Sequence, residues 1–276
     1  MAISTIAVSV GDNCIDHYLP PIERSFVGGN ALNVAVTMNR AGLPTAYVGV
    51  IGDDDQGKLI QNTLLHEGVD VTHLKTIPGV TSYTEIRLTA EGDRQFIHEH
   101  VGPLQTLELD AETIHFICQH KLAHNTWLGG TQKYLPQFKQ AGILVSMDYG
   151  ERYTQDFFYD TIQNVNIAFF SLPEAEAYRA KELAKQAVRL GAQMAIITLG
   201  REGSLAYNGT DYTHPARQIQ VVDTLGAGDT YIGVFLAQWL QSQPLAKCME
   251  IATQAAALTC THYGAWEYRT YESEIG

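Results

Sequence analysis

The chain of 276 residues is long enough to bury the core of one large α/β domain or of two smaller ones. A hydrophobic content of 45% and a charged content of 17% are those of a globular protein and exclude a disordered or low-complexity one. A formal net charge of −12 excludes the basic stripe that a nucleic-acid or anionic-membrane partner needs, but not ATP, whose phosphates can be held by backbone N–H groups and Mg2+.

In chain order, residues 3–10 predict a buried strand that ends in the turn Gly11-Asp12-Asn13. This start lacks the basic flank and cleavage site of a signal peptide, and no apolar run reaches the roughly 20 residues that span a bilayer. Cys14, Cys118, Cys248 and Cys260 form no C-x-x-C pair, which predicts free thiols and a cytoplasmic protein. Gly28-Gly29 opens a helix predicted over 30–40 and stopped by Gly42 and Pro44. A strand at 45–51 and a helix from about 56 to 67 follow, ending at Gly68. Residues 82–99 break the pattern: polar and apolar residues alternate on either side of Glu91-Gly92-Asp93, predicting a β-hairpin. Strands at 121–126, 143–147, 167–170 and 194–199 then resume, with helical patterns between them, including 173–190. Strands alternating with helices predict an α/β fold with a mostly parallel sheet covered on both faces, whose site lies at the carboxyl ends of the strands. Asp12 and the segment 171–174 follow such ends and can face one crevice.

The most informative stretch comes late, at Asp223-Thr224-Leu225-Gly226-Ala227-Gly228-Asp229, which runs into an apolar helix at 230–240. Gly226, Ala227 and Gly228 let backbone N–H groups converge, and the helix adds the positive end of its dipole there. Such a place holds a phosphate, or the charge on a phosphoryl group in transfer. Asp229 stands in the first turn, where the dipole favours its ionised form and where it can take the proton of an attacking hydroxyl. An ordinary glycine-rich helix entry has the same composition.

Several other patterns carry less. Gly52-Asp53-Asp54-Asp55-Gln56-Gly57-Lys58-Leu59 nearly spells a P-loop, but lacks the Ser/Thr for Mg2+ and holds three aspartates that would repel a triphosphate. Cys118, His120 and His124 lack a fourth ligand for zinc. His98 and His100 share one side of a strand, where they could hold a metal or touch a substrate. The small-residue helix at 251–259 suits close packing, or the approach of an adenine.

D-T-x-G-A-G-D is the signature of the ribokinase-like (PfkB) carbohydrate kinases, and the chain resembles that family there and at Gly28-Gly29-Asn30-Ala31-Leu32-Asn33-Val34-Ala35. Segments 11–16, 52–55 and 262–266 extend the likeness over the whole chain and are similar to the fructoselysine 6-kinase members, which phosphorylate sugar–amine (fructosamine) adducts. The resemblance implies a three-layer sandwich with a central mostly parallel sheet and a small β-sheet lid. It implies a single domain over 1–276 with lid strands inserted at about 14–27 and 81–100. The implied reaction moves the γ-phosphoryl group of ATP to a primary hydroxyl, O6 of a fructosamine, with Asp229 as base. Another acceptor, a ketohexose or a nucleoside, stays open, as does a non-catalytic sugar-binding regulator.

By the same resemblance, Asp12, Gly28, Gly29, Asn30 and Asn33 hold the acceptor, whose hydroxyls need donors and acceptors at fixed angles. Arg94 of the lid is placed to touch a phosphate or sugar oxygen, or to pair with Glu85 across the hairpin. Ser171, Thr198, Gly200, Gly203, Gly226 and Gly228 are implied for the nucleotide, and Glu174 for Mg2+ through water. Ser171 stands where the family usually carries Asn. K+ near Asp223 and Gly264, and a homodimer formed through the lid, are further implications. The segment 97–101 departs from the fructoselysine kinases, and Glu99 within it would suit a cationic amino-acid portion of the acceptor.

Overall fold

The computed structural model describes residues 5–89 and 94–267. From β1 (Ala7–Val10) the chain leaves for two strands of a small sheet, β2 (Cys14–Tyr18) and β3 (Arg24–Gly28), and returns through helix α1 (Asn30–Arg40) to β4 (Thr45–Gly52). Helix α2 (Asp55–His66) and β5 (Leu74–Ile77) follow, then two more strands of the small sheet, β6 (Tyr83–Leu88) and β7 (Arg94–His100). Regular alternation follows through α3 (Ala111–Cys118), β8 (Leu122–Thr126), α4 (Leu135–Gln140), β9 (Leu144–Asp148), α5 (Gln155–Thr161), β10 (Ile167–Ser171), α6 (Ala180–Arg189) and β11 (Met194–Thr198). An edge hairpin, β12 (Ser204–Tyr207) and β13 (Asp211–His214), precedes α7 (Ala227–Leu240) and α8 (Leu245–Thr259).

The large sheet has the order β13-β12-β11-β10-β9-β8-β1-β4-β5, parallel from β11 to β5 and antiparallel at the β12–β13 edge. Its central strands are near-continuous apolar runs because both faces are covered. Met38 of α1, Phe235 of α7 and Ala252 of α8 pack on one face, against Leu122, Phe169 and Ile196. Ile117, Phe138, Phe158 and Leu183 pack on the other, against Val145, Met147, Phe170 and Ile197. The expected three-layer α/β sandwich is therefore present. The small sheet has the order β3-β2-β6-β7, with a register shift between Glu85 and Ile86. The hairpin turn at Glu91-Gly92-Asp93, and the first residues of the expected strand at 3–10, lie outside the described residues.

One expected helix is shorter than its pattern. Residues Glu174–Arg179 form a 3-10 turn with no buried residue, and α6 starts only at Ala180. The reason is the buried stripe Ala180, Leu183, Ala184 and Ala187, whose helical spacing begins there. The segment resembling a P-loop has its helix terminus already satisfied. Asp54 caps α2 by accepting from the Gly57 N–H at 2.9 Å and also binds the Thr81 N–H at 2.9 Å. His124 is fully buried against Ser146 Oγ, and no metal-ligating group of three side chains occurs among the described residues. No helix among the described residues is long and apolar enough to cross a membrane.

Candidate active site

Strand order reverses at β1, which has β4 on one side and β8 on the other. A parallel sheet opens a crevice outside its strand ends at such a point. Here the crevice spans about 1100 Å3, solvent at its mouth included, with strand ends on its floor and the small sheet as its roof.

Helices α1 and α7 both start at this crevice, and they pack closely enough to bring their first turns together. A Cβ on Gly233 would lie 2.7 Å from Thr37 Cβ, so only glycine admits this approach. One turn earlier on each helix stand Asn33 and Asp229, and Asn33 Nδ2 donates to Asp229 Oδ2 at 2.7 Å. Asp229 is buried, and burial pushes its carboxyl up to about 7. The charge of Asp12 adds to that rise, while the Asn33 hydrogen bond and Arg94 oppose it. Asn33 Oδ1 is buried with no partner, an open acceptor at the crevice wall.

The α7 terminus rests on two glycines with different jobs. Gly226 has φ 73°, and a Cβ there would meet Ala265 Cβ at 2.4 Å. Gly228 lines the crevice, and a Cβ on it meets nothing within 4 Å. The first N–H groups of the helix have no partner within it and carry the positive end of its dipole. Asp223 fixes the loop ahead of them: its buried carboxylate accepts from Tyr18 Oη of β2, from the Leu225 N–H at 2.9 Å and from the Gly264 N–H at 3.1 Å.

Asp12 does part of the same job for α1. Its oxygens accept from the Asn30 N–H at 2.6 Å, the Ala31 N–H at 3.3 Å and Thr126 Oγ1 at 2.6 Å, and burial raises its carboxyl. Gly29, at φ 109°, lets the chain pass Asn13, whose Cα would lie 2.4 Å from a Cβ. Gly28 stands behind the crevice rather than on it; a Cβ there would lie 2.0 Å from Asp16 Oδ2. Asp16 and Asp148 are crevice residues that reading the sequence missed. Burial pushes each to about 7, with Asp229's charge adding to both. Two signals were there: strand alternation in β2 puts Asp16 on the face of Cys14 and Tyr18, and Asp148 closes an apolar strand at its carboxyl end.

Arg94 does not pair with Glu85, which stands opposite His98, whereas Arg94 stands opposite Leu88. Its Nη1 instead donates to Thr224 O at 3.2 Å and Thr224 Oγ1 at 3.4 Å, tying the small sheet to the loop ahead of α7. Ser171 and Thr198 end adjacent strands, with their hydroxyls 2.9 Å apart on the crevice wall. Gly200 and Gly203, at φ 54° and 96°, form the tight turn into β12. They are not among the lining residues. Glu174 is exposed beside that turn and is also off the lining, as is Ala227. The fold thus gathers Asp12, Gly29, Asn30, Asn33, Arg94, Ser171, Thr198, Gly226, Gly228 and Asp229 in one crevice.

Comparison with known proteins places this geometry. The sequence profile described as pfkB family carbohydrate kinase matches residues 17–269. A fructoselysine 6-kinase of Shigella flexneri is 35% identical over 260 residues, covering 94% of this chain and 98% of its own. A fructosamine kinase of Bacillus subtilis is 33% identical, covering 95% and 93%. Ribokinase of Arabidopsis thaliana, solved with ribose and ATP, has the same fold with a TM-score of 0.82 at 20% identity, covering 95% of both chains. A ribokinase II from Escherichia coli, solved with ATP and Mg2+, aligns with a TM-score of 0.81 at 17% identity over 95% of this chain and 94% of that one. The chain therefore belongs to the pfkB family of carbohydrate kinases and is an ATP-dependent sugar kinase.

Proposed function

We propose that the protein transfers the γ-phosphoryl group of ATP to O6 of a fructosamine, with Asp229 as the base. The observation that carries this reading is one buried carboxylate in the first turn of α7, held by Asn33 and lining the same crevice as Gly228, over which the space is clear. Asp229 takes the proton of the acceptor hydroxyl, that oxygen bonds to the γ-phosphorus, and the bond to the bridging oxygen breaks to release ADP. The N–H groups of Gly226 and Gly228 stabilise the charge spread over the moving phosphoryl group, while the Ala227 N–H between them closes the turn onto Thr224 O at 3.3 Å. Asn33 Oδ1 and the carboxylates of Asp12 and Asp16 orient acceptor donors. ATP lies towards Ser171 and Thr198. The hard oxygens of Asp148 suit the Mg2+ that accompanies ATP, and its crowding by Asp229 is the kind of repulsion a divalent cation relieves. Glu174 acts on that ion only through water.

A secondary ammonium on the acceptor fits the acidic floor, and the relatives named for fructoselysine and fructosamine support that class. The direct test is a panel of ε-fructosyllysine, fructose and nucleosides read by ADP formation, with phosphorus NMR locating the ester. Phosphorylation at O6 of the fructosamine is expected. Preference for fructose or a nucleoside rejects the acceptor, and binding without ADP rejects catalysis.

The two glycines give a second expectation. Gly226→Ala costs about 1–3 kcal/mol of stability through its backbone strain and its clash with Ala265. Gly228→Ala keeps or raises the melting midpoint, because Ala is about 1 kcal/mol better than Gly in a helix. Its methyl nevertheless crowds the phosphoryl position and lowers turnover about tenfold. Thermal melts and ADP release on the same samples check both halves, and a fully active Gly228→Ala enzyme puts the phosphoryl group elsewhere.

A further inference from the structure

The mouth of the crevice carries a charge pair that phosphoryl transfer leaves unused. Arg152, just beyond β9, donates from Nη1 to Glu99 Oε2 on β7 at 3.4 Å. Their side chains keep 45% and 50% of their exposure, and both line the same crevice as Asp229. The contact is loose and uses one nitrogen and one oxygen, whereas guanidinium and carboxylate can meet through two bonds of about 2.8 Å. Arg152 is steadied from another side: its guanidinium lies over the Phe96 ring, 4.8 Å from the centroid. An arginine held by stacking can exchange one carboxylate for another.

Charge around the crevice identifies what it would exchange for. Asp12, Asp16, Asp148 and Asp229 make the floor acidic, and among the described residues only Arg94 and Arg152 bring positive charge to the lining. Arg94 is bonded to Thr224. Arg152 is thus the group at the mouth that can receive an anionic part of an acceptor, with Glu99 beside it for a cationic part. A planar guanidinium matches a carboxylate through two parallel bonds.

We propose that Glu99 and Arg152 form a subsite for the zwitterionic α-amino-acid head at the far end of the acceptor's amine substituent, Arg152 taking the carboxylate and Glu99 the ammonium. The subsite rests on the fructosamine reading above and names the amine portion that this chain selects. A bound head replaces one loose ion pair by two charge-assisted ones bridging the small sheet and the main sheet. A plain ketohexose uses neither group.

The test uses four fructosyl adducts: that of the lysine ε-amine with both charges, of 6-aminohexanoate with the carboxylate alone, of 1,5-diaminopentane with the ammonium alone, and of pentylamine with neither. The wild-type KM is expected to be lowest for the lysine adduct and highest for the pentylamine adduct. Arg152→Gln should raise KM about tenfold for the two carboxylate-bearing adducts, leaving kcat and the other two adducts unchanged. Glu99→Gln should do the same for the two ammonium-bearing adducts. Continued turnover of the pentylamine adduct shows that each variant is folded. A pair that only latches the small sheet shifts KM for all four adducts alike, and that outcome overturns the subsite. Equal wild-type KM for all four overturns it without any variant. Turnover of none of them, with fructose or a nucleoside phosphorylated instead, overturns the fructosamine reading and the subsite together.

Discussion

Asp229→Asn lowers kcat by about 10²–10⁴, the usual worth of a positioned general base, while the protein keeps its fold. The amide copies the shape of the carboxylate, and its oxygen can accept the hydrogen bond that Asn33 Nδ2 makes at 2.7 Å. It cannot take a proton from an attacking hydroxyl. Stability should hold or improve at pH 8, because burial and the charge of Asp12 oppose ionisation of the native carboxyl. Loss of turnover together with an undiminished melting midpoint therefore separates chemistry from folding. A fully active variant removes Asp229 from the role. A rise in KM with kcat unchanged would reduce it to a binding group.

Acidification should inactivate the enzyme well above the pH at which ordinary carboxylates titrate. With Asp229 held at about 7, kcat/KM falls about tenfold per unit below pH 7, so about a hundredfold by pH 5. Asp16 and Asp148 sit at about the same value and interact with Asp229, so the apparent pKa belongs to the cluster. A profile breaking near pH 4 instead would mean that the working base is an ordinary, solvated carboxylate. Stability carries the opposite sign. Each of these groups has its folded pKa raised above an unfolded value of about 3.9, so the folded chain binds more protons between about pH 4 and 7. Their contribution is full below about 4 and is lost as pH rises to 7. His124, buried and held at about 3, pushes the other way across much of that window, so the whole-protein curve mixes the two. The clean readout is a difference. Asp16→Asn should gain about 1–3 kcal/mol relative to wild type between pH 5 and pH 7.5, measured by urea unfolding. A difference that does not change with pH would show that Asp16 is not strained by its burial.

What was legible in the sequence was whatever the backbone encodes locally. A helix beginning at Asn30 after two glycines, the nest at 226–228, Asp229 in the first helical turn and the alternation that makes a parallel sheet all follow from residues a few positions apart. Even Gly226 and Gly29 are written there, because positive φ at a helix entry selects glycine. The tertiary structure alone decided which side chains meet over long separations. Asn33 reaches Asp229 because Gly233 lets α1 and α7 touch, and Arg94 reaches Thr224 rather than Glu85 because the strand register turns it inward. Asp16 and Asp148 look like ordinary acids within and at the end of a strand until burial in one crevice brings them near Asp229 and raises all three. Gly200 and Gly203 belong to the same local class as Gly226 and Gly29, since both take positive φ in the tight turn into β12. Dihedral preferences and periodicity act between near neighbours in the chain, whereas desolvation and Coulomb repulsion depend on distance in space, which only the packed fold defines.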